Sequence, residues 1–472
     1  MTLDETSQPF ELLLSVSRDG TRTLGGQIED QFRTAIRHGR LKPGARIPST
    51  RDLARQIGVS RRIAVDAYAQ LAAEGYLTLR QGARPHVSGA AAGPQGAPEP
   101  APPEPATTAY RYDFRPSVPD VSAFPRAAWG RSLRAALAEV TDAELAYSDP
   151  RGAPILRAAL AEYLGRVRGV VADPSRVLIT SGYTQGLDVV LHALRMRGAR
   201  RLAVEDPSDP EAEWSAERAG LGSTRIPVDG EGVRVDVLAA SGADAVVLTP
   251  AHQHPTGVVL SPGRRADIVA WLRATGAIVI EDDYDAEFRY DRAAVGALQG
   301  LDPEHVVYAG SVSKTLAPAL RLGWLVVPPG LVEPVAHQKL LADRGTARLE
   351  QVALADFLAR GELDRHLRRM RARYRGRRDA LVAALAQELP EASVRGIAAG
   401  LHATVELTAA DDEQAIEREA AARRLALMTL REVRRVAPTD RATLLLGYAQ
   451  LAEAAIPVAI RELADAVRAA RG

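Results

Sequence analysis

Residues 311–323 read SVSKTLAPALRLG. They contain Lys314, one of only three lysines among the 60 Lys and Arg residues of a 472-residue chain. Where nearly all positive charge is written as arginine, a lysine at a particular spot points to amine chemistry rather than to charge alone. The preceding run VVYAG (306–310) has the β-branched, apolar composition of a buried strand, which puts Lys314 on the turn at that strand's carboxyl end. A partly desolvated lysine in such a place presents a neutral amine that can form a Schiff base with an aldehyde. Ser311 and Ser313 add hydroxyls, and Arg321 adds a planar fork suited to phosphate.

The same pattern extends outward on both sides. RVLITSG (176–182) runs into a helical YTQGLDVVLHALRM, and RLAVED (201–206), ADAVVLTP (243–250), AIVIEDDY (277–284) and GWLVVP (323–328) follow as further short strands. Alternating strands and helices predict an α/β unit, a mainly parallel sheet covered on both faces. In such sheets ligands bind beyond the carboxyl ends of the strands. At Tyr183 and Thr184 a strand meets a helix N-terminus, whose free N–H groups favour an anion. Asp282, with Asp283 as its neighbour in the other register, ends another strand, and Tyr284 follows. A carboxylate there would keep a pyridine nitrogen protonated, and the tyrosine would hydrogen-bond a ring oxygen. An aldehyde-reactive lysine, a phosphate cradle and a pyridinium partner together describe a site for pyridoxal phosphate.

The N-terminal part reads differently. Residues 18–88 hold 13 Lys and Arg against 6 Asp and Glu, although the whole chain has a net charge of only +1. A basic small segment joined to a near-neutral large one suggests a polyanion partner. Helical spacing predicts helices over 27–39, 48–58 and 59–77, with Ser49 and Ser60 as N-caps and glycines as stops. The alternating YLTLRQGARPHVS (76–88) predicts a two-stranded wing around Gly82. Two helices, a tight turn and a hairpin make a winged helix-turn-helix. The Pro- and Ala-rich stretch 89–110 cannot bury enough surface to fold and reads as a linker. The expected division is therefore 12–88, linker 89–110, and 111–472.

Two resemblances follow. AIRHGRLKPGARIPSTRDLARQIGVSRRIAVDAYAQLAAEGYLTLRQG resembles the GntR-type DNA-binding domain. YSDPRGAPILRAALAEYL, HQHPTG, EDDYDAEFRY, SVSKTLAPALRLG and RHLRRMRARYRGRR resemble a fold-type-I aminotransferase-like domain with a smaller C-terminal α+β subdomain. Their fusion is similar to the MocR subfamily of GntR regulators. The resemblance implies a transcriptional regulator that binds pyridoxal phosphate through Lys314 and an operator in double-stranded DNA through its winged helix. It further implies a head-to-tail, domain-swapped homodimer and a small-molecule effector. The N-terminal end of the second helix of the motif would enter the major groove with Arg61 and Arg62. Arg51 would reach a phosphate, and Arg80 and Arg84 would flank the wing.

Three positions depart from the family's pattern. Asp209 stands where a tyrosine usually stacks on the cofactor ring. His254, a further cofactor-site candidate, precedes Pro-Thr-Gly where asparagine or an aromatic is usual. Leu445 occupies the place of an arginine clamp for a substrate carboxylate, leaving Arg441 as the nearest candidate. Without the clamp, full transamination is a weaker expectation than sensing, and pyridoxal phosphate itself becomes a candidate signal alongside an amino compound. Zero cysteines, no membrane-length apolar run and an N-terminus unlike a secretory signal fit the cytoplasm.

Overall fold

The computed structural model describes residues 14–18, 21–80, 83–90, 110–116, 118–290, 295–408, 411–435 and 441–472. The chain divides into two compact units, Met1–Thr107 and Thr108–Gly472. Most of the expected linker, and Gly82 at the expected wing tip, lie outside the described residues.

The small unit contains α1 (Leu24–Arg37), α2 (Thr50–Ile57) and α3 (Arg61–Ala73), then β1 (Leu77–Thr78) paired antiparallel with β2 (His86–Val87). The sequence places α1 three residues late. Its cap is Thr23, whose hydroxyl accepts the Gly26 N–H. Ser49 caps α2 by accepting the Asp52 N–H at 3.2 Å, and Ser60 caps α3 by accepting that of Ile63. Gly58 ends α2 in the left-handed region at φ 68°, which turns the chain directly into α3. Ile28, Phe32, Leu53, Tyr68 and Leu71 are fully buried between the three helices. The Phe32 and Tyr68 rings meet edge to face at 5.5 Å, and the Tyr68 hydroxyl donates to the Pro48 carbonyl.

In the large unit an eight-stranded sheet runs in the order Val177–Thr180, Gly323–Val326, Val306–Ser311, Ile278–Asp282, Ala245–Leu248, Arg201–Asp206, Gly222–Asp229, Gly232–Val233. The strands from Val306–Ser311 to Gly222–Asp229 are parallel, while Gly323–Val326 is antiparallel to both its neighbours. The central strands are apolar on both faces because helices cover both sides, so they read as continuous runs and not as alternation. Gly222–Asp229 carries an interrupting proline and exposed residues, and it is not among the strands expected from the sequence.

A smaller antiparallel sheet, ordered Ser393–Arg395, His402–Glu406, Thr443–Gly447, Met428–Thr429, forms the C-terminal α+β part with Glu362–Glu388 and Ile456–Arg471. Register fixes the site. Gly323 pairs with Ser311 on one side and with Thr180 on the other, and Ala309 pairs with Asp282. The carboxyl ends of three strands therefore open on one place.

Candidate functional site

A cavity of about 300 Å³ opens at those strand ends. Its lining contains every cofactor-site residue expected from the sequence: Tyr183, Thr184, His254, Asp282, Tyr284, Ser311, Ser313, Lys314 and Arg321. Burial lowers the Lys314 amine below its ordinary value, while Asp282, Asp285, Asp209 and Glu211 pull the other way. The result is an amine that loses its proton more readily than a surface lysine would.

Asp282 faces this cavity and Asp283 does not. Asp283 points into the core, where Arg168 Nε and the Tyr308 hydroxyl each donate to its Oδ2 at 2.6 Å. The strand alternation separates the two neighbours, one to the site and one to a buried ion pair. Burial and the adjacent Asp283 charge push the Asp282 carboxyl well above its ordinary value, with Lys314 opposing. A cationic partner within the cavity would relieve that penalty.

At the other end, helix Tyr183–Met196 begins at Gly182, which makes no side-chain cap. Its first N–H groups are therefore available to an anion. Arg321, itself left-handed at φ 49°, lies against Gly182 and donates to the Ser181 carbonyl at 2.5 Å. Gly182 has φ 90°, and a Cβ there would sit 2.9 Å from Arg321 Nη2, so only glycine leaves this cradle open. Gly323 is equally restricted, since its Cβ would fall 2.9 Å from the Gly182 backbone. An uncapped helix end beside a guanidinium fits a phosphate, the half-buried Asp282 fits a ring cation, and Lys314 fits an aldehyde. These residues suit pyridoxal phosphate.

Two expected contacts differ from the simplest reading. The Tyr284 oxygen lies 3.0 Å from His252 Nδ1, which is also 3.0 Å from Asp285 Oδ2. The Thr184 hydroxyl donates to Glu211. Both side chains line the cavity but already have protein partners. Asp209, in place of a stacking ring, also lines it, with Oδ2 3.2 Å from His254 Nε2. Leu445 is fully buried in an apolar cluster with Leu430 and Val433, and neither it nor the exposed Arg441 belongs to the lining.

Glu205, Ser208, Glu211, Thr249 and His402 also line the cavity, and none of them is among the residues expected from the sequence. Glu205 carried a signal, because Glu205 and Asp206 close its strand just as Glu281 and Asp282 close theirs. His402 carried none, since it arrives from the small sheet on a strand distant in sequence.

In the small unit Arg61 and Arg62 are exposed on the first turn of α3, and Arg51 is exposed on the first turn of α2. Arg62 lies 3.8 Å from Asp66 one turn on. Arg80 and Arg84 are exposed beside the two short strands. The Ser49 hydroxyl holds Asp52 below its ordinary value, helped by Arg55, Arg84 and Arg51, so wing and helix arginines share one neighbourhood. Arg55, paired with Asp52 at 2.9 Å, was not singled out from the sequence.

Comparison with known proteins agrees with both units. Residues 24–87 match the model of bacterial regulatory proteins of the gntR family, and 121–443 match that of aminotransferase class I and II. The chain is 32% identical to the HTH-type pyridoxine biosynthesis transcriptional regulator PdxR of Corynebacterium glutamicum, over 80% of this chain and 82% of that one. It is also 32% identical to the probable rhizopine catabolism regulatory protein MocR of Rhizobium meliloti, over 80% of each. Among solved structures, kynurenine aminotransferase of Pyrococcus horikoshii aligns with TM-score 0.69 at 25% identity, covering 77% of this chain and 92% of that one. The α-aminoadipate aminotransferase LysN of Thermus thermophilus aligns with TM-score 0.67 at 27% identity, covering 76% and 92%. The fold and the two matched regions define a DNA-binding transcriptional regulator with an aminotransferase-like domain. The chain belongs to the MocR subfamily of the GntR-type regulators.

Proposed function

We propose that this regulator holds pyridoxal phosphate at Lys314 and that ligand exchange in the cavity alters operator binding by the winged helix. The observation that carries the reading is convergence: Lys314, Asp282, Arg321 and the uncapped end of helix Tyr183–Met196 all surround one cavity. When bound, the cofactor supplies an electrophilic carbonyl carbon that takes up amines. In this proposal Arg321 and the N–H groups after Gly182 bind its phosphate, with Tyr183, Thr184, Ser311 and Ser313 alongside. Asp282 would hold the proton of its ring nitrogen and Tyr284 would hydrogen-bond its ring oxygen, with His254 in the same lining. Lys314 offers the amine, kept deprotonatable by burial.

The winged helix would read DNA with Arg61 and Arg62 and position itself with Arg51, Arg80 and Arg84 on phosphates. A homodimer in the cytoplasm completes the proposal, each copy carrying one reading head. The apolar packing of Leu445 favours sensing over turnover, because no guanidinium takes up a carboxylate there. The test is absorbance of the purified chain with pyridoxal phosphate. Wild-type protein should gain a band near the visible edge, borohydride should bleach that band while fixing the cofactor covalently on Lys314, and Lys314→Ala should gain none. A colourless wild type, or a band that survives Lys314→Ala, would contradict it.

A further inference from the structure

We infer that His252 and Asp285, neither of which lines the cavity, fix the direction of the Tyr284 hydroxyl: its oxygen accepts from His252 Nδ1–H, and its own proton is aimed into the cavity. The two are positioning residues, and their use to a ligand rests on the cofactor reading proposed above.

His252 and Asp285 are both buried. His252 Nδ1 lies 3.0 and 3.2 Å from the two carboxylate oxygens of Asp285 and 3.0 Å from the Tyr284 oxygen. A carboxylate only accepts hydrogen bonds, so a bare Nδ1 would face acceptor oxygens with no proton between them, in a buried place. Nδ1 therefore carries a hydrogen. That holds for the neutral ring with its proton on Nδ1 and for the charged ring alike, so nothing depends on the charge of His252. With Nδ1 a donor, the tyrosine hydroxyl cannot donate to it and stands as a second acceptor of the same hydrogen. Burial and the carboxylates of Asp285, Asp282, Asp209 and Glu205 push the Tyr284 phenol well above its ordinary value, so it keeps a proton of its own. That proton is left for the cavity, which Tyr284 lines.

The backbone is shaped around this pair. At Gly400, φ 75°, an added Cβ would stand 2.6 Å from Asp285 Oδ2 and closer still to His252 Cε1, so only glycine allows the approach. His402 packs beside His252 with ring centroids 5.6 Å apart. Burial, with His254 and His252 next to it, lowers His402 well below its ordinary value, so that ring brings no charge to the pair. A hydroxyl aimed into the cavity donates to the ring oxygen of a bound cofactor and favours the anionic form of that oxygen. The lysine-bound cofactor then gives up its proton at a lower pH than it would with the hydroxyl turned away. Glu211, His254, Tyr183, Lys314 and Arg321 also line the cavity and stay the same in every variant compared below.

Two measurements test this on the full-length chain. In cofactor-free protein carrying isotope-labelled histidine, nitrogen NMR should show His252 Nδ1 protonated, its resonance assigned by its loss in His252→Asn. In cofactor-loaded protein the visible-edge band is titrated with pH. Tyr284→Phe should raise the midpoint by about one unit, the worth of one hydrogen bond to a charged group. Asp285→Asn lets Nδ1 become an acceptor, so the hydroxyl turns toward His252 and the midpoint should rise by a similar amount. His252→Asn keeps an N–H at the place of Nδ1 and should hold the wild-type midpoint. A bare Nδ1 in wild type, an Asp285→Asn midpoint equal to that of wild type, or a His252→Asn midpoint as high as that of Tyr284→Phe would overturn the inference and leave the cofactor reading standing. Failure of wild type to load pyridoxal phosphate would overturn that reading, and the positioning role with it, whatever the nitrogen resonances show.

Discussion

Asp282 and Asp283 stand side by side in the sequence and do opposite things. Asp283 is spent on Arg168 and Tyr308 in the core, whereas Asp282 is half-buried facing the cavity with its charge poorly compensated. Asp282→Asn should therefore weaken pyridoxal phosphate binding by about 10- to 100-fold, the loss of one charged hydrogen bond of roughly 1.5–3 kcal/mol. Fluorescence titration of the cofactor measures it, and an unchanged affinity would remove Asp282 from the site.

Glu205 gives a residue-scale prediction about pH. Burial pushes its carboxyl from 4.5 up to about 7, against the hydrogen bonds from Thr249. A folded value above the unfolded one means the native state holds the proton more tightly. The charged form therefore costs stability as pH rises from about 4.5 to 7, and the cost is complete above that window, up to about 3 kcal/mol. Glu205→Gln should raise the melting temperature more at pH 8 than at pH 5 in protein without added cofactor. Parallel melting curves for the two proteins across that range would contradict it.

At the scale of elements, α3 and the strand ends were legible for physical reasons. Ser49 and Ser60 are caps in sequence and in space, and the apolar runs at 201–206 and 306–310 fall on the strands Arg201–Asp206 and Val306–Ser311. Lys314 and Tyr183 were findable because each follows such a run at the sheet's carboxyl edge, and Arg321 because it lies seven positions beyond Lys314, just before the strand Gly323–Val326. His402 was not, because what brings it to the cavity is the packing of the small sheet, and no local pattern encodes that; Thr249, directly after the strand Ala245–Leu248, carries the same strand-end signal, although it is not among the residues expected. The strand Gly222–Asp229 escaped for a related reason: it is polar and carries a proline near the sheet's edge, where pairing overrides propensity. The two arginine classes of the winged helix should separate in DNA binding. Arg61→Ala should cost about 1–3 kcal/mol and relax base preference, while Arg51→Ala should weaken all sequences alike and reduce the salt slope by about one. Binding measured over a salt series distinguishes them, and identical behaviour of the two variants would contradict the assignment.

Across the whole molecule, the chain joins a DNA-binding domain to an aminotransferase-like domain, and the proposed coupling between them requires a ligand that binds two states of the protein unequally. The chain divides into two compact units, Met1–Thr107 and Thr108–Gly472, and a basic helical segment and a large α/β unit differ in period, charge and turn chemistry. The most direct test of the account is operator affinity at one fixed salt concentration, with and without pyridoxal phosphate, in wild type and in Lys314→Ala. The account predicts a change of at least about fivefold in wild type, the lower end of ordinary coupling energies, and none in the variant. Equal affinities in wild type with and without the cofactor, or an equal response from Lys314→Ala, would contradict it.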